Sequence, residues 1–130
     1  MISRRLVLAA ACLVAILPST GAFSFESQPF TPQAFETAQQ SGNQILVEIH
    51  APWCPICKAQ GPILSDLLAD AKRKDMKVFR IDFDSQKADV RKLRAQSQST
   101  LIVFKGTSEV GRSVGDTNRK SVAALLDKAI

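Results

Sequence analysis

Ile45-Leu46-Val47-Glu48-Ile49-His50-Ala51-Pro52-Trp53-Cys54-Pro55-Ile56-Cys57-Lys58 is the stretch that decides how the chain is read. Its first half is an apolar, β-branched run interrupted only by Glu48 and His50. Such a run suits a central strand covered on both faces. Its second half sets two cysteines three positions apart, with a proline directly after the first. Proline is favoured at the first helical position, so Cys54 is predicted to cap a helix that opens at Pro55. A buried strand, a tight loop and a helix with both thiols at its start follow from these residues.

That placement carries chemistry. A C-x-x-C pair beside a β–α–β pattern is a recognised redox signature. The Cys54 sulfur would face the free N–H groups of Ile56 and Cys57. A helix start favours negative charge by about 0.3–1 kcal/mol, at most about 2, which lowers a thiol pKa. Cys54 is the expected nucleophile and Cys57, expected to be the more enclosed, the resolving thiol. Two cysteines this close form too small a loop to staple a domain. A structural zinc site needs four Cys or His ligands, and only His50 could join the pair.

Outward from this stretch the chain alternates helices and strands. Thr31-Pro32 caps and opens a helix ending near Gly42, with Phe30 and Phe35 placed as a hydrophobic staple. Phe23 to Phe30 reads as an extended lead-in. The helix from Pro55 runs to about Ala71, with Ile63, Leu64, Leu67 and Leu68 at helical spacing and a kink expected at Pro62. A strand is predicted over Val78–Phe83, a polar helix over Lys87–Arg94, and a strand over Thr100–Phe104. Gly106 turns the chain into a hairpin strand over Glu109–Val114. Thr117 is expected to cap a last helix with Val122, Leu125, Leu126 and Ala129 on one face. The order predicts an α/β fold: a central mixed sheet flanked by helices on both faces.

The first 22 residues read differently. Arg4 and Arg5 precede an apolar run of 12 residues, Leu6–Leu17, which ends at Pro18 and is followed by Ser19, Thr20, Gly21 and Ala22. A charged start, short apolar centre and small-residue exit describe a secretory signal peptide. A spanning helix would need roughly 20 apolar residues, so an uncleaved anchor is the weaker reading, and a lipoprotein cysteine at Cys12 weaker still. Cleavage after Ala22 or Gly21 leaves one domain, residues 23–130. It also removes Arg4, Arg5 and Cys12, so formal net charge falls from +5 to +3 and Cys54 and Cys57 become the only cysteines. The remaining positive charge is dispersed, with no basic and aromatic stripe for nucleic acid. A periplasmic or secreted location is expected.

Glu48 lies six residues before Cys54 inside the apolar strand. Burial should raise its pKa, which suits a catalytic proton acceptor for Cys57. The alternatives are a carboxylate at a strand edge or one paired with Arg80 on the neighbouring strand. His50, on the same strand face, could shuttle protons or pack under the loop. Trp53 is expected to shield the disulfide and shape the docking surface.

On these residues the chain resembles the thioredoxin family across essentially all of residues 23–130. Ile45 to Pro62 resembles its strand, W-C-x-x-C-K loop and proline-kinked helix. Glu48 stands where the family usually has a buried Asp, and Arg80 where it usually has a Lys. Thr100–Lys105 with Gly106, Gly111 and Gly115 resembles its closing hairpin. The resemblance implies a thioredoxin-like fold and a thiol–disulfide oxidoreductase with a redox-active Cys54–Cys57 pair and no cofactor or resident metal. It further implies a substrate-binding surface at Trp53, Pro55, Ile56, Ser99 and Thr100. Its substrates would be disulfide-bearing exported proteins, which it reduces or isomerises as a monomer, with a membrane or periplasmic electron partner.

Two positions depart from the family pattern. Pro55-Ile56 replaces Gly-Pro between the cysteines, and Ser99 replaces a cis-proline. A cis bond before a non-proline residue costs about 2.5–4 kcal/mol, so Gln98–Ser99 is predicted to be trans. That would re-aim the backbone that pairs with substrate and leave room for a metal. It motivates an alternative function, a soft-metal (copper) binding protein using Cys54, Cys57 and His50.

Overall fold

The computed structural model describes residues 25–130; the predicted signal segment, including Cys12, lies outside them. β1 (Gln28–Pro29), α1 (Pro32–Gln40), β2 (Gln44–His50), α2 (Pro55–Leu68), β3 (Lys77–Asp82), α3 (Lys87–Lys92), β4 (Thr100–Lys105), β5 (Ser108–Val114) and α4 (Arg119–Asp127) follow in order. One 3-10 turn, Ala71–Arg73, separates α2 from β3. The five strands form one sheet in the order β1-β3-β2-β4-β5. β1 and β2 both run parallel to β3, whereas β4 is antiparallel to β2 and to β5. The sheet is mixed, as the hairpin at Gly106 requires.

Alternation along β2 explains its apolar run. Ile45, Val47 and Ile49 pack with Phe35 and Ala38 of α1 and Val90 of α3. Leu46 packs on the opposite face with Leu64, Leu67 and Leu68 of α2 and Val122, Leu125 and Leu126 of α4. Successive side chains of a strand point to opposite faces, so a strand sandwiched between helix pairs carries apolar residues on both faces. Glu48 and His50 share the Leu46 face, the one covered by the cysteine-bearing helix.

Local signals account for most element ends. Thr31 accepts from the Ala34 amide at the start of α1, and the Phe30 and Phe35 rings lie 5.1 Å apart as the staple requires. Helix α1 gives way at Gly42, whose φ of +72° suits a residue without Cβ. Helix α2 runs continuously through Pro62. Three expectations are corrected. The extended lead-in contains the edge strand β1, recruited by pairing with β3 rather than by its own composition. Helix α2 stops at Leu68, because Asp70 starts the 3-10 turn by accepting from the Lys72 amide. Finally, α4 is capped by Asn118, not Thr117: the Asn118 side chain accepts from the amides of Lys120 and Ser121.

Candidate active site

Cys54 and Cys57 are joined as a disulfide, with their Cα atoms 5.3 Å apart. Cys54 is the N-cap of α2, and its sulfur accepts from the Cys57 amide at 3.1 Å. The expected helix-start environment of the nucleophile is therefore present, with the Cys57 N–H as the donor. The expected asymmetry of exposure is not: Cys54 is 1% and Cys57 3% accessible. Bonding Sγ to Sγ across the first helical turn draws both sulfurs against Ala51 and Phe83.

Trp53, 56% exposed, is held by its neighbours in the loop after β3. Its indole N–H donates to Asp84 Oδ2 at 2.7 Å, and its ring meets Phe83 edge-on at 6.5 Å. Pro55 and Ile56 are exposed at the start of α2. Val114, also exposed, precedes Gly115, where an added Cβ would lie 3.9 Å from both Ile56 Cδ1 and Ser99 Oγ. Trp53, Ile56 and Val114 thus leave apolar surface in water around the disulfide.

Glu48 is 1% exposed in the centre of the sheet, level with Arg80 on one side and Leu101 on the other. Arg80 donates to both carboxylate oxygens, Nε to Oε2 and Nη2 to Oε1, each at 3.2 Å. The Arg80 side chain is 38% exposed, so the pair joins a dry carboxylate to a half-wetted guanidinium. The fork geometry offsets the desolvation of Glu48, and the carboxylate stays on the α2 side of the sheet. Two register positions along, His50 stands opposite Asp82. Burial, then the Arg80 charge, draws the His50 imidazole below its ordinary range, against the opposing pull of Glu48 and Asp82.

The Gln98–Ser99 bond is trans, as predicted. Ser99 adopts φ +60°, a left-handed conformation uncommon outside glycine. Its amide donates to the Ile49 carbonyl at 2.8 Å and its carbonyl accepts from Gly115 at 3.0 Å. Its hydroxyl donates to the Gln98 carbonyl at 2.6 Å. Thr100 is buried, its hydroxyl donating to the Ser97 carbonyl at 2.7 Å, so it shapes the loop from within. The Ser99 amide and carbonyl tie the loop to β2 and to the residue that follows β5. Among the described residues no group of three or more His, Cys, Asp or Glu could hold a metal ion. The copper reading is left without support.

Sequence reasoning passed over two residues here. Asp84, which orients Trp53, carries no local signal because its role comes from a loop 31 positions away. Gln60 could have been found: Cys57, Gln60, Leu64 and Leu67 are buried along one face of α2, and a glutamine in that stripe is out of keeping with its neighbours.

A capped disulfide on a helix start, at the end of the central strand of a mixed sheet that also buries a carboxylate, defines a thiol–disulfide exchange protein. The comparisons agree. The Thioredoxin family model matches residues 26–128. A thioredoxin from Staphylococcus aureus is 36% identical over 98 residues, covering 75% of this chain and 92% of its own. The crystal structure of Trxlp from Edwardsiella tarda EIB202 superposes with a TM-score of 0.75 at 40% identity, over 78% of this chain and 98% of that one. A Malassezia sympodialis thioredoxin shares the fold, with a TM-score of 0.69 at 17% identity over 79% of this chain and 92% of its own. The chain belongs to the thioredoxin family. It is a thioredoxin-type thiol–disulfide oxidoreductase, acting on disulfide-bearing substrates.

Proposed function

We propose that this oxidoreductase works outside the cytoplasm, in the periplasm or as a secreted protein, reducing or isomerising disulfides of other exported proteins. The observation that carries the exchange mechanism is the Cys54 sulfur at the head of α2, accepting from the Cys57 amide. Export rests on the first 22 residues: Arg4 and Arg5, the apolar run Leu6–Leu17, and the small residues up to Ala22.

In the reductive direction the Cys54 thiolate attacks one sulfur of a substrate disulfide. A Cys54–substrate bond forms, the substrate S–S bond breaks, and one substrate thiolate departs. Cys57 then gives its proton to the Glu48 carboxylate and attacks the Cys54 sulfur. The mixed disulfide breaks, the second substrate thiolate departs, and Glu48 returns the proton toward it. Two electrons have passed to the substrate, and the Cys54–Cys57 disulfide remains for an electron partner to reduce. Trp53, Pro55 and Ile56, with the Ser99 and Gly115 loops, form the docking surface, and the protein acts as a monomer.

Insulin reduction by the domain from Phe23 onward tests the exchange. Cys54→Ser should abolish turnover, and Cys57→Ser should trap a mixed disulfide; turnover surviving Cys54→Ser would sink the mechanism. Mass analysis of the protein recovered from its native compartment tests export. A first residue at Ala22 or Phe23 is expected, and a chain retaining Leu6–Leu17 would refute cleavage.

A further inference from the structure

Gln60 is 1% exposed and lies three residues beyond Cys57 on α2. Its amide nitrogen donates to two carbonyls, Ser99 at 3.2 Å and Asp116 at 3.0 Å. Two acceptors fix the orientation of the amide, because only the NH2 end can donate. The other end, Oε1, is buried with no partner among the described residues. The amide therefore ties the helix that carries both cysteines to two loops at once, the one before β4 and the one between β5 and α4.

Burying an amide with one end unsatisfied lowers stability, and an apolar side chain in the Cys57–Leu64–Leu67 stripe would avoid that. The bonds it does make go to the positions where this fold needs help. Ser99 has no proline ring to stiffen its loop. The Ser99 carbonyl accepts from both the Gly115 amide and the Gln60 side chain. Asp116 is itself anchored, its carboxylate accepting from the Asn118 amide and the Ser121 hydroxyl at the start of α4.

We infer that Gln60 is a positioning residue for extended protein substrates: it clamps the Ser99 and Gly115–Asp116 loops onto the cysteine-bearing helix and so sets the wall against which a substrate segment lies. The inference rests on the docking surface proposed above. Small disulfides need only the sulfur of Cys54, whereas a protein segment must also meet the wall. Loss of the clamp should therefore fall on protein substrates and spare small ones.

The test compares insulin with hydroxyethyl disulfide as substrates of the domain from Phe23 onward. In Gln60→Met, kcat/KM for insulin should fall about tenfold, the size expected for two modest hydrogen bonds. The loss should lie mainly in KM, with the hydroxyethyl disulfide rate within about twofold of the parent. Gln60→Glu supplies a second readout. Its ionised carboxylate has no donor for either carbonyl, while its protonated form regains one O–H. The insulin-to-hydroxyethyl-disulfide ratio should rise as pH falls in Gln60→Glu and stay level in the parent. An unchanged ratio in Gln60→Met, or a flat ratio in Gln60→Glu, overturns the inference, as does an equal loss on both substrates. If the parent reduces hydroxyethyl disulfide but not insulin, the docking surface itself is wrong. Should neither variant fold, NMR of the parent decides: slow exchange of the Gln60 side-chain amide with couplings to the Ser99 and Asp116 carbonyls supports the clamp, and fast exchange refutes it.

Discussion

Removing Arg80 should harm this protein far more than removing the charge of Glu48, although the two are partners. Arg80→Met leaves a carboxylate that is 1% exposed with neither of its guanidinium bonds. Breaking a buried ion pair from one side costs about 3–5 kcal/mol. The Arg80 side chain is 38% exposed, so water can enter where it was; the lower end, about 3 kcal/mol, is expected. Glu48→Gln leaves a neutral amide of the same shape, with an oxygen still able to accept from Arg80, while the guanidinium keeps its contact with water. About 1 kcal/mol is expected for that exchange. With a urea slope of about 2 kcal/mol/M, the midpoints of the two variants should differ by about 1 M. The double variant should recover part of the Arg80→Met loss, since no buried charge is then stranded. Equal midpoints, or a lower midpoint for Glu48→Gln, would refute the reading of Glu48 as a dry charge held by a wet partner. The same Glu48→Gln protein separates stability from chemistry: the mixed disulfide with insulin should resolve about a hundredfold more slowly, read by acid quenching and mass spectrometry.

Three further outcomes are expected. Ser99→Pro should destabilise the protein by about 3 kcal/mol or more, because proline fixes φ near −65° and removes an N–H, whereas Ser99 sits at +60° and donates to Ile49; Ser99→Gly should stay within about 1 kcal/mol of the parent in the same urea titration. Arg73→Met should cost about 2 kcal/mol, since the buried Arg73 donates to the Leu67 carbonyl and to Asp127, joining the end of α2 to α4; a midpoint unchanged from the parent would count against it. The folded His50 ring holds its proton less tightly than the ordinary value near 6.5. The unfolded chain then takes up that proton first, so the stability contributed by neutral His50 is full above about pH 6.5 and declines as pH falls below it; His50→Gln should flatten that part of a stability-versus-pH curve.

Much of the fold could be read because its signals are local. The Thr31 cap, the Phe30–Phe35 staple, Pro55 at the head of α2 and the apolar run of β2 each act within a few residues. The misses have non-local causes. β1 is a strand only because β3 offers its edge, and its own two residues, Gln28 and Pro29, predict nothing of the kind. Asn118 displaced Thr117 because a cap is chosen by whichever side chain reaches the free amides, a matter of one residue that neighbouring candidates leave ambiguous. At the site, the pairing of Glu48 with Arg80 was among the readings available from sequence. The orientation of Trp53 by Asp84 and the clamp at Gln60 were not: Glu48 and Arg80 meet at one register of two predicted neighbouring strands, whereas these contacts end on loops whose seating no strand register fixes.

By itself the sequence determined the chemistry: a thiol pair at a helix start, a carboxylate in a strand too apolar to leave it exposed, and a chain order that admits a helix-covered mixed sheet. These follow from spacing and composition, which local sterics and hydrophobic burial translate directly. Only the tertiary structure decided what surrounds that chemistry. It gave Glu48 its guanidinium, placed both sulfurs out of solvent, and closed the Ser99 loop with a left-handed residue and bonds to Ile49, Gly115 and Gln60. Such contacts depend on the register of strands and the seating of helices, which are settled by the packing of the whole domain and not by any stretch of it.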